Sequence, residues 1–145
     1  MLDRYRVDLP LIDGAVAAVR ELARSFPLAV ASSSNRPLID AVLDTAGITA
    51  CFAATVSSEE VARGKPSPDV YLEAARQLDV APAHCVAVED SANGIRAAAA
   101  AGMHVIAYPN RHYAPDAKAL ALADAVIESL DDLVATVGET GTDSI

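Results

Sequence analysis

Val86-Ala87-Val88-Glu89-Asp90-Ser91-Ala92-Asn93-Gly94 is the stretch that decides the architecture. An apolar run ends in two adjacent carboxylates, and Ser91 then opens an alanine-rich segment that reaches Ala101 and stops at Gly102. A short continuous apolar run reads as a strand buried on both faces, here Cys85 to Val88, and Ser91 to Ala101 as the helix after it. Two carboxylates directly after a buried strand are costly unless something positive sits between them. Hard oxygen ligands of this kind suit Mg²⁺, which binds through one or two carboxylates plus water and substrate phosphate. The plainer reading has Asp90 or Ser91 capping the helix and Glu89 pointing to solvent, and the two roles can coexist.

The same alternation extends in both directions. Upstream, Gly14 to Ser25 carries Val16, Val19, Leu22 and Ala23 on one helical stripe, and Pro27 to Ser32 is a buried strand. Asn35 caps a helix with Pro37 in its first turn and Gly47 at its end. Phe52 to Val56 reads as a second strand, and Ser67-Pro68 starts a helix that runs to about Asp79. Downstream, Met103 to Tyr108 is a fourth strand, Pro115 to Ala123 a helix and Ala125 to Ile127 a short edge strand. Ser129 caps a last helix, and the tail from about residue 138 frays. Strands and helices alternating at this spacing predict one α/β domain over residues 1–145, a doubly wound parallel sheet with helices on both faces.

In such sheets ligands bind beyond the carboxyl ends of the strands. Three polar clusters fall there. Ser32-Ser33-Ser34-Asn35 puts a hydroxyl at a strand end and a helix N-terminus behind it, a place for a phosphate oxygen or simply a cap and turn. Arg63-Gly64-Lys65-Pro66-Ser67-Pro68-Asp69 holds one lysine on a loop stiffened by prolines. Taken alone it is an exposed loop lysine; held in place, its ammonium neutralises a transferring phosphoryl group. Glu89-Asp90 is the third.

The order ASSSN, GKPSPDVY, VEDSANGIRAA resembles motifs two, three and four of the haloacid dehalogenase superfamily, over about Leu9 to Asn110. It is most similar to the β-phosphoglucomutase and sugar-phosphate phosphatase branch, whose cap domain is inserted between the first and second motifs. The resemblance implies an Mg²⁺-dependent phosphatase or phosphomutase acting on a small phosphorylated metabolite, a sugar phosphate by class. Ser32 matches the hydroxyl that binds the phosphoryl group, with Ser33 and Asn35 beside it. Lys65 matches the lysine that stabilises nucleophile and phosphoryl charge, and Glu89 and Asp90 match the acidic pair that holds the metal. The metal-free dehalogenases lack that pair, so VEDSANG argues for phosphoryl transfer over carbon–halogen cleavage.

The family's first motif, a buried strand followed by Asp-x-Asp, supplies the nucleophile that forms an aspartyl-phosphate. No Asp-x-Asp occurs in the 145 residues, and Asp8 and Asp13 are five apart. The expectation is therefore a core without its central first strand and cap, binding Mg²⁺ weakly and turning over little alone. That strand lies in the family between those ending at Ser32 and Glu89. Its five or so apolar residues, at roughly 2 kcal/mol each, make on the order of 10 kcal/mol. That rivals a domain's net stability of roughly 5–15 kcal/mol. A preceding segment, another copy or a partner chain fills the slot, or the sheet closes up. Tyr5 to Ile12 is a poor filler, because Pro10 cannot donate to a central ladder. A reading of another class is a non-catalytic phosphate-binding or assembly module. A flavodoxin- or receiver-like domain would explain the sheet but not Lys65 with Glu89-Asp90.

Composition sets the outer limits. Hydrophobic residues make up 52% and charged residues 21%, with only 4% aromatic, so a globular core is built from small side chains. A formal net charge of −9 disfavours nucleic acid. No apolar run approaches the ~18 residues of a membrane span, and the N-terminus lacks a signal-peptide apolar region, so a cytoplasmic protein is expected. Cys51 and Cys85 are expected as reduced, buried thiols at strand starts. His84, His104 and His112 show no ligand spacing, and Tyr108-Pro109-Asn110 follows the fourth strand as a loop bordering the site.

Overall fold

The computed structural model describes residues 15–109 and 112–139. Tyr5 to Ile12, Asp8, Asp13 and most of the tail lie outside the described residues, as does Asn110.

The chain runs α1 (Ala15–Ala23), β1 (Ala29–Ser32), α2 (Arg36–Ala46), β2 (Ala54–Ser57), α3 (Asp69–Leu78) and β3 (Val86–Glu89). It continues with α4 (Ala92–Ala100), β4 (His104–Ala107), α5 (Ala117–Leu120), β5 (Ala125–Val126) and α6 (Leu133–Gly138). All strand pairs are parallel, as the alternation predicts, but they form two ladders. β1 pairs β2, Ala29 opposite Ala54, while β4 sits between β3 and β5. No ladder joins β1 to β3 among the described residues.

Alternation along the strands sorts the core into two layers. Val56, Ala87, Val105 and Ala107 pack with Val70, Tyr71 and Ala74 of α3 and Ile95, Ala97 and Ala98 of α4. On the opposite face Val86 and Ile106 meet Ala18 and Leu22 of α1 and Leu133 and Val137 of α6. Val30 meets Ala15 and the buried stripe of α2, Ile39, Val42 and Leu43. Alanine on both sides lets helices lie close to short strands.

Local signals fix most boundaries. Asn35 accepts a hydrogen bond from Leu38 N, and Gly47 ends α2 at φ +71°. Ser91 accepts from Gly94 N at 3.1 Å. Elsewhere the structure shifts the expected edges. The helix expected over Pro115 to Ala123 is shorter, Ala117–Leu120, because Asp116 caps it, its carboxylate accepting from Ala119 N at 2.8 Å. A 3₁₀ turn over Thr49–Cys51 delays β2 to Ala54, so Cys51 is half-buried in that turn and not at a strand start. Cys85 is buried directly before β3. No helix among the described residues is long and apolar enough to cross a membrane.

Candidate functional site

Three elements bring their polar ends together. β1 ends at Ser32, which is fully buried and whose Oγ accepts from Ser34 N at 3.0 Å. The turn after it is tied to the end of β2: Ser57 Oγ donates to Ser34 O at 2.6 Å and Ser58 Oγ to Ser33 O at 3.2 Å. β3 ends at Glu89, and Glu89 and Asp90 are both fully buried. Between them comes Lys65, on a loop closed by Ser67 N to Gly64 O at 3.0 Å and a cis Lys65–Pro66 bond.

Lys65 joins the two ladders. Its ammonium donates to the Ala31 carbonyl at 3.0 Å and to Glu89 Oε2 at 2.6 Å. Its side chain is 3% exposed, so it is not the solvated loop lysine that its segment alone suggests. The plainer reading of Glu89 as a solvent-facing residue is overturned for the same reason: its partner lies inside. The Ser91 cap that went with that reading is present.

Tyr71 of α3 completes the group. Its hydroxyl donates to Glu89 Oε2, and Lys65 Nζ stands 5.0 Å from the centre of its ring. Burial first, then the charge of Glu89, hold the Tyr71 phenol well above its usual range, so it stays a donor. Glu89 Oε1 is buried with no hydrogen-bond partner, and so is Ser34 Oγ. Two adjacent carboxylates, one with an orphaned oxygen, are a hard-oxygen donor set that fits Mg²⁺ as part of a larger shell. Among the described residues no group of three or more His, Cys, Asp or Glu gathers to hold a metal.

Residues 2–102 match the family model of the haloacid dehalogenase-like hydrolases. The chain belongs to that family. It is 41% identical over 124 residues to the bifunctional riboflavin kinase/FMN phosphatase of Arabidopsis thaliana, covering 84% of this chain and 32% of that one. It is 37% identical over 131 residues to hexitol phosphatase A of Escherichia coli, covering 90% and 59%. The crystal structure of CbbY from Rhodobacter sphaeroides in complex with phosphate superposes with a TM-score of 0.76 at 32% identity, covering 90% of this chain and 61% of that chain. The chain thus spans between about a third and three fifths of these relatives.

Within this haloacid dehalogenase-like core, Ser32 and Glu89 end β1 and β3, Asp90 follows Glu89, and all three are buried, while Lys65 brings a buried side chain to them from its loop. Ser33 is exposed, and Asn35 is half-buried with Oδ1 occupied by the α2 cap. His84, His104 and His112 are exposed. Tyr108 binds back to the Glu89 carbonyl at 2.8 Å, so it borders the site through its backbone. Tyr71 is the residue the motif reading missed. Its signal was present, since a tyrosine on a buried apolar stripe needs a partner for its hydroxyl.

Proposed function

We propose that this chain is the phosphate-handling core of a phosphatase-type hydrolase acting on a small phosphorylated metabolite, a sugar phosphate by class. The observation that carries the reading is the buried ammonium of Lys65, fixed between the end of β1 and Glu89. A cation held there without freedom to wander is preorganised for a phosphoryl group. Ser32 would offer its hydroxyl to a phosphate oxygen, with Ser33 and the start of α2 beside it. Tyr71 and Lys65 hold Glu89 in one orientation. Glu89 and Asp90 would hold Mg²⁺, which when bound supplies charge neutralisation for the phosphate. The phosphate-bound relative and the phosphatase names of the others support the class of substrate.

The 145 residues contain no Asp-x-Asp, so we expect phosphate binding by this chain with little or no turnover. The experiment is titration with inorganic phosphate and with hexose and pentitol phosphates, with and without Mg²⁺, alongside phosphate release from the same esters. Binding strengthened by Mg²⁺, and weakened in Ser32→Ala and Asp90→Asn, is the expected result. Absence of phosphate binding in a chain folded by circular dichroism would end the reading. Mg²⁺-dependent turnover abolished in Asp90→Asn would keep the phosphatase but overturn the account of the missing nucleophile.

A further inference from the structure

One amide in the turn after β1 is held at both ends. The carbonyl of Ser33 accepts from Ser58 Oγ at 3.2 Å. The N–H of Ser34, the other half of the same peptide unit, donates to Ser32 Oγ at 3.0 Å. The groups form a line: the Ser58 hydroxyl, the Ser33–Ser34 amide, the Ser32 hydroxyl. We propose that Ser58 is a positioning residue for phosphate binding, acting through that amide to orient and strengthen Ser32 as a hydrogen-bond donor. The inference rests on the phosphate role proposed for Ser32 and extends it to a side chain outside the three polar clusters of the sequence.

The direction of each bond follows from the groups that make it. A carbonyl only accepts, so Ser58 gives its one proton to Ser33 O. An amide N–H only donates, so Ser32 uses a lone pair on Ser34 and keeps its own proton to give. In such a chain each bond polarises the next. Donation to the Ser33 carbonyl makes the Ser34 N–H a better donor, and that makes the Ser32 hydroxyl a better donor in turn. A charged acceptor at the end of the chain draws most from it. Ser32 is fully buried, where water does not compete for its proton, whereas Ser58 stands half-buried at the rim.

Ser58 is itself fixed by its surroundings. It opens a 3₁₀ turn, Ser58–Glu60, directly after β2. A capping box closes that turn: Ser57 Oγ accepts from Glu59 N at 3.2 Å, and Glu60 Oε1 accepts from Ser57 N at 2.8 Å. Arg36 at the start of α2 donates to the same Glu60 oxygen at 2.6 Å. Against Ser58 lies Gly64, the residue before Lys65: a Cβ placed there would stand 3.5 Å from Ser58 Cβ and 3.9 Å from its Oγ. The hydroxyl therefore sits where the turn after β1 meets the lysine loop. A water in its place at the rim would restore a bond to Ser33 O but not a fixed direction.

The test is titration of the full 145-residue chain with inorganic phosphate in the presence of Mg²⁺. Ser58→Thr and Ser58→Val introduce side chains of one shape that differ in a hydroxyl. Ser58→Val should raise the phosphate Kd about threefold, towards the low end of what one hydrogen bond contributes. Ser58→Thr should bind like the parent. On a Ser32→Ala background Ser58→Val should change nothing further, because the chain has lost its last link. NMR puts the same question without ligand: the Ser34 amide proton should move upfield in Ser58→Val and hold its place in Ser58→Thr. Equal Kd values for Ser58→Thr and Ser58→Val overturn the proposal. So does a loss from Ser58→Val that persists in full on the Ser32→Ala background, or a Ser34 proton that does not distinguish the two variants. A parent chain that binds no phosphate overturns the reading of Ser32 itself, and this proposal with it, whatever the Ser34 proton shows.

Discussion

A Cβ placed on Gly94 would stand 2.0 Å from Oε1 of Glu89 and 2.1 Å from its Cδ. The first turn of α4 therefore packs its bare backbone onto the carboxylate that Lys65 and Tyr71 hold from the other side. Glu89 is clamped between a helix and a cation, and glycine is what lets the helix come that close.

Gly94→Ala should accordingly destabilise the protein, although alanine in a helix ordinarily gains up to ~1 kcal/mol over glycine. The carboxylate cannot swing aside without releasing Lys65 and Tyr71. Overpacking of this kind costs ~1–3 kcal/mol, and each kcal/mol lowers Tm by roughly 2–4 °C at this size. Thermal melting checks it. A Tm equal to or above the parent's would show that Glu89 is not clamped.

Lys65→Met should cost ~3–5 kcal/mol, because it strands a buried carboxylate. Adding Glu89→Gln should recover part of that loss, since the amide has no charge to leave unpaired. A urea double-mutant cycle should give a coupling of ~1–3 kcal/mol. Additive single effects would mean that the 2.6 Å contact contributes nothing specific.

The elements were legible where a residue type has one local use. Asn35 and Gly47 bracket α2 and Ser91 opens α4, because a cap depends on neighbours three or four residues away. The site was legible as an order of motifs, since strand ends in a parallel sheet converge whatever the loops do. Tyr71 and the role of Gly94 were not. Each acts on Glu89, 18 and 5 residues distant, and the contact exists only once α3 and α4 have packed on the sheet. The 3₁₀ turn at Thr49–Cys51 was hidden for a related reason: Phe52 is apolar because it packs on the core from a turn, not because it begins β2.

Arg36 at the start of α2 ties that helix to β2, donating to Thr55 O at 2.7 Å and Glu60 Oε1 at 2.6 Å. The hydrogen bond from Arg36, then that from Ser57 N, hold the Glu60 carboxyl below its usual range. A depressed carboxyl contributes stability above its unfolded pKa of about 4.3, and loses it as pH falls further. Glu60 is 44% exposed, so solvent screening keeps the contribution to no more than about 1 kcal/mol. The stability difference between parent and Glu60→Gln should therefore shrink from pH 6 to pH 3, and shrink in high salt at pH 6. A difference independent of both would locate the effect in packing and not in charge.

Ser34 and Ser57 make an opposed pair of predictions within one turn. Ser57 Oγ donates to Ser34 O at 2.6 Å and accepts from Glu59 N at 3.2 Å, bridging the ends of β1 and β2. Ser57→Ala leaves a buried carbonyl and a helical N–H without partners, at a cost of ~1–3 kcal/mol. Ser34 Oγ is buried and has no hydrogen-bond partner, so Ser34→Ala removes a group whose desolvation nothing offsets. Its stability should equal the parent's or exceed it, within ~1 kcal/mol. Under the proposed function the same hydroxyl lies one turn from Ser32, where a phosphate oxygen would give it a partner. Ser34→Ala should then weaken phosphate binding several-fold while leaving urea unfolding unchanged, and Ser57→Ala should lower the urea midpoint. If Ser34→Ala destabilises as much as Ser57→Ala, the hydroxyl is satisfied in the folded chain and has no bond to offer a ligand.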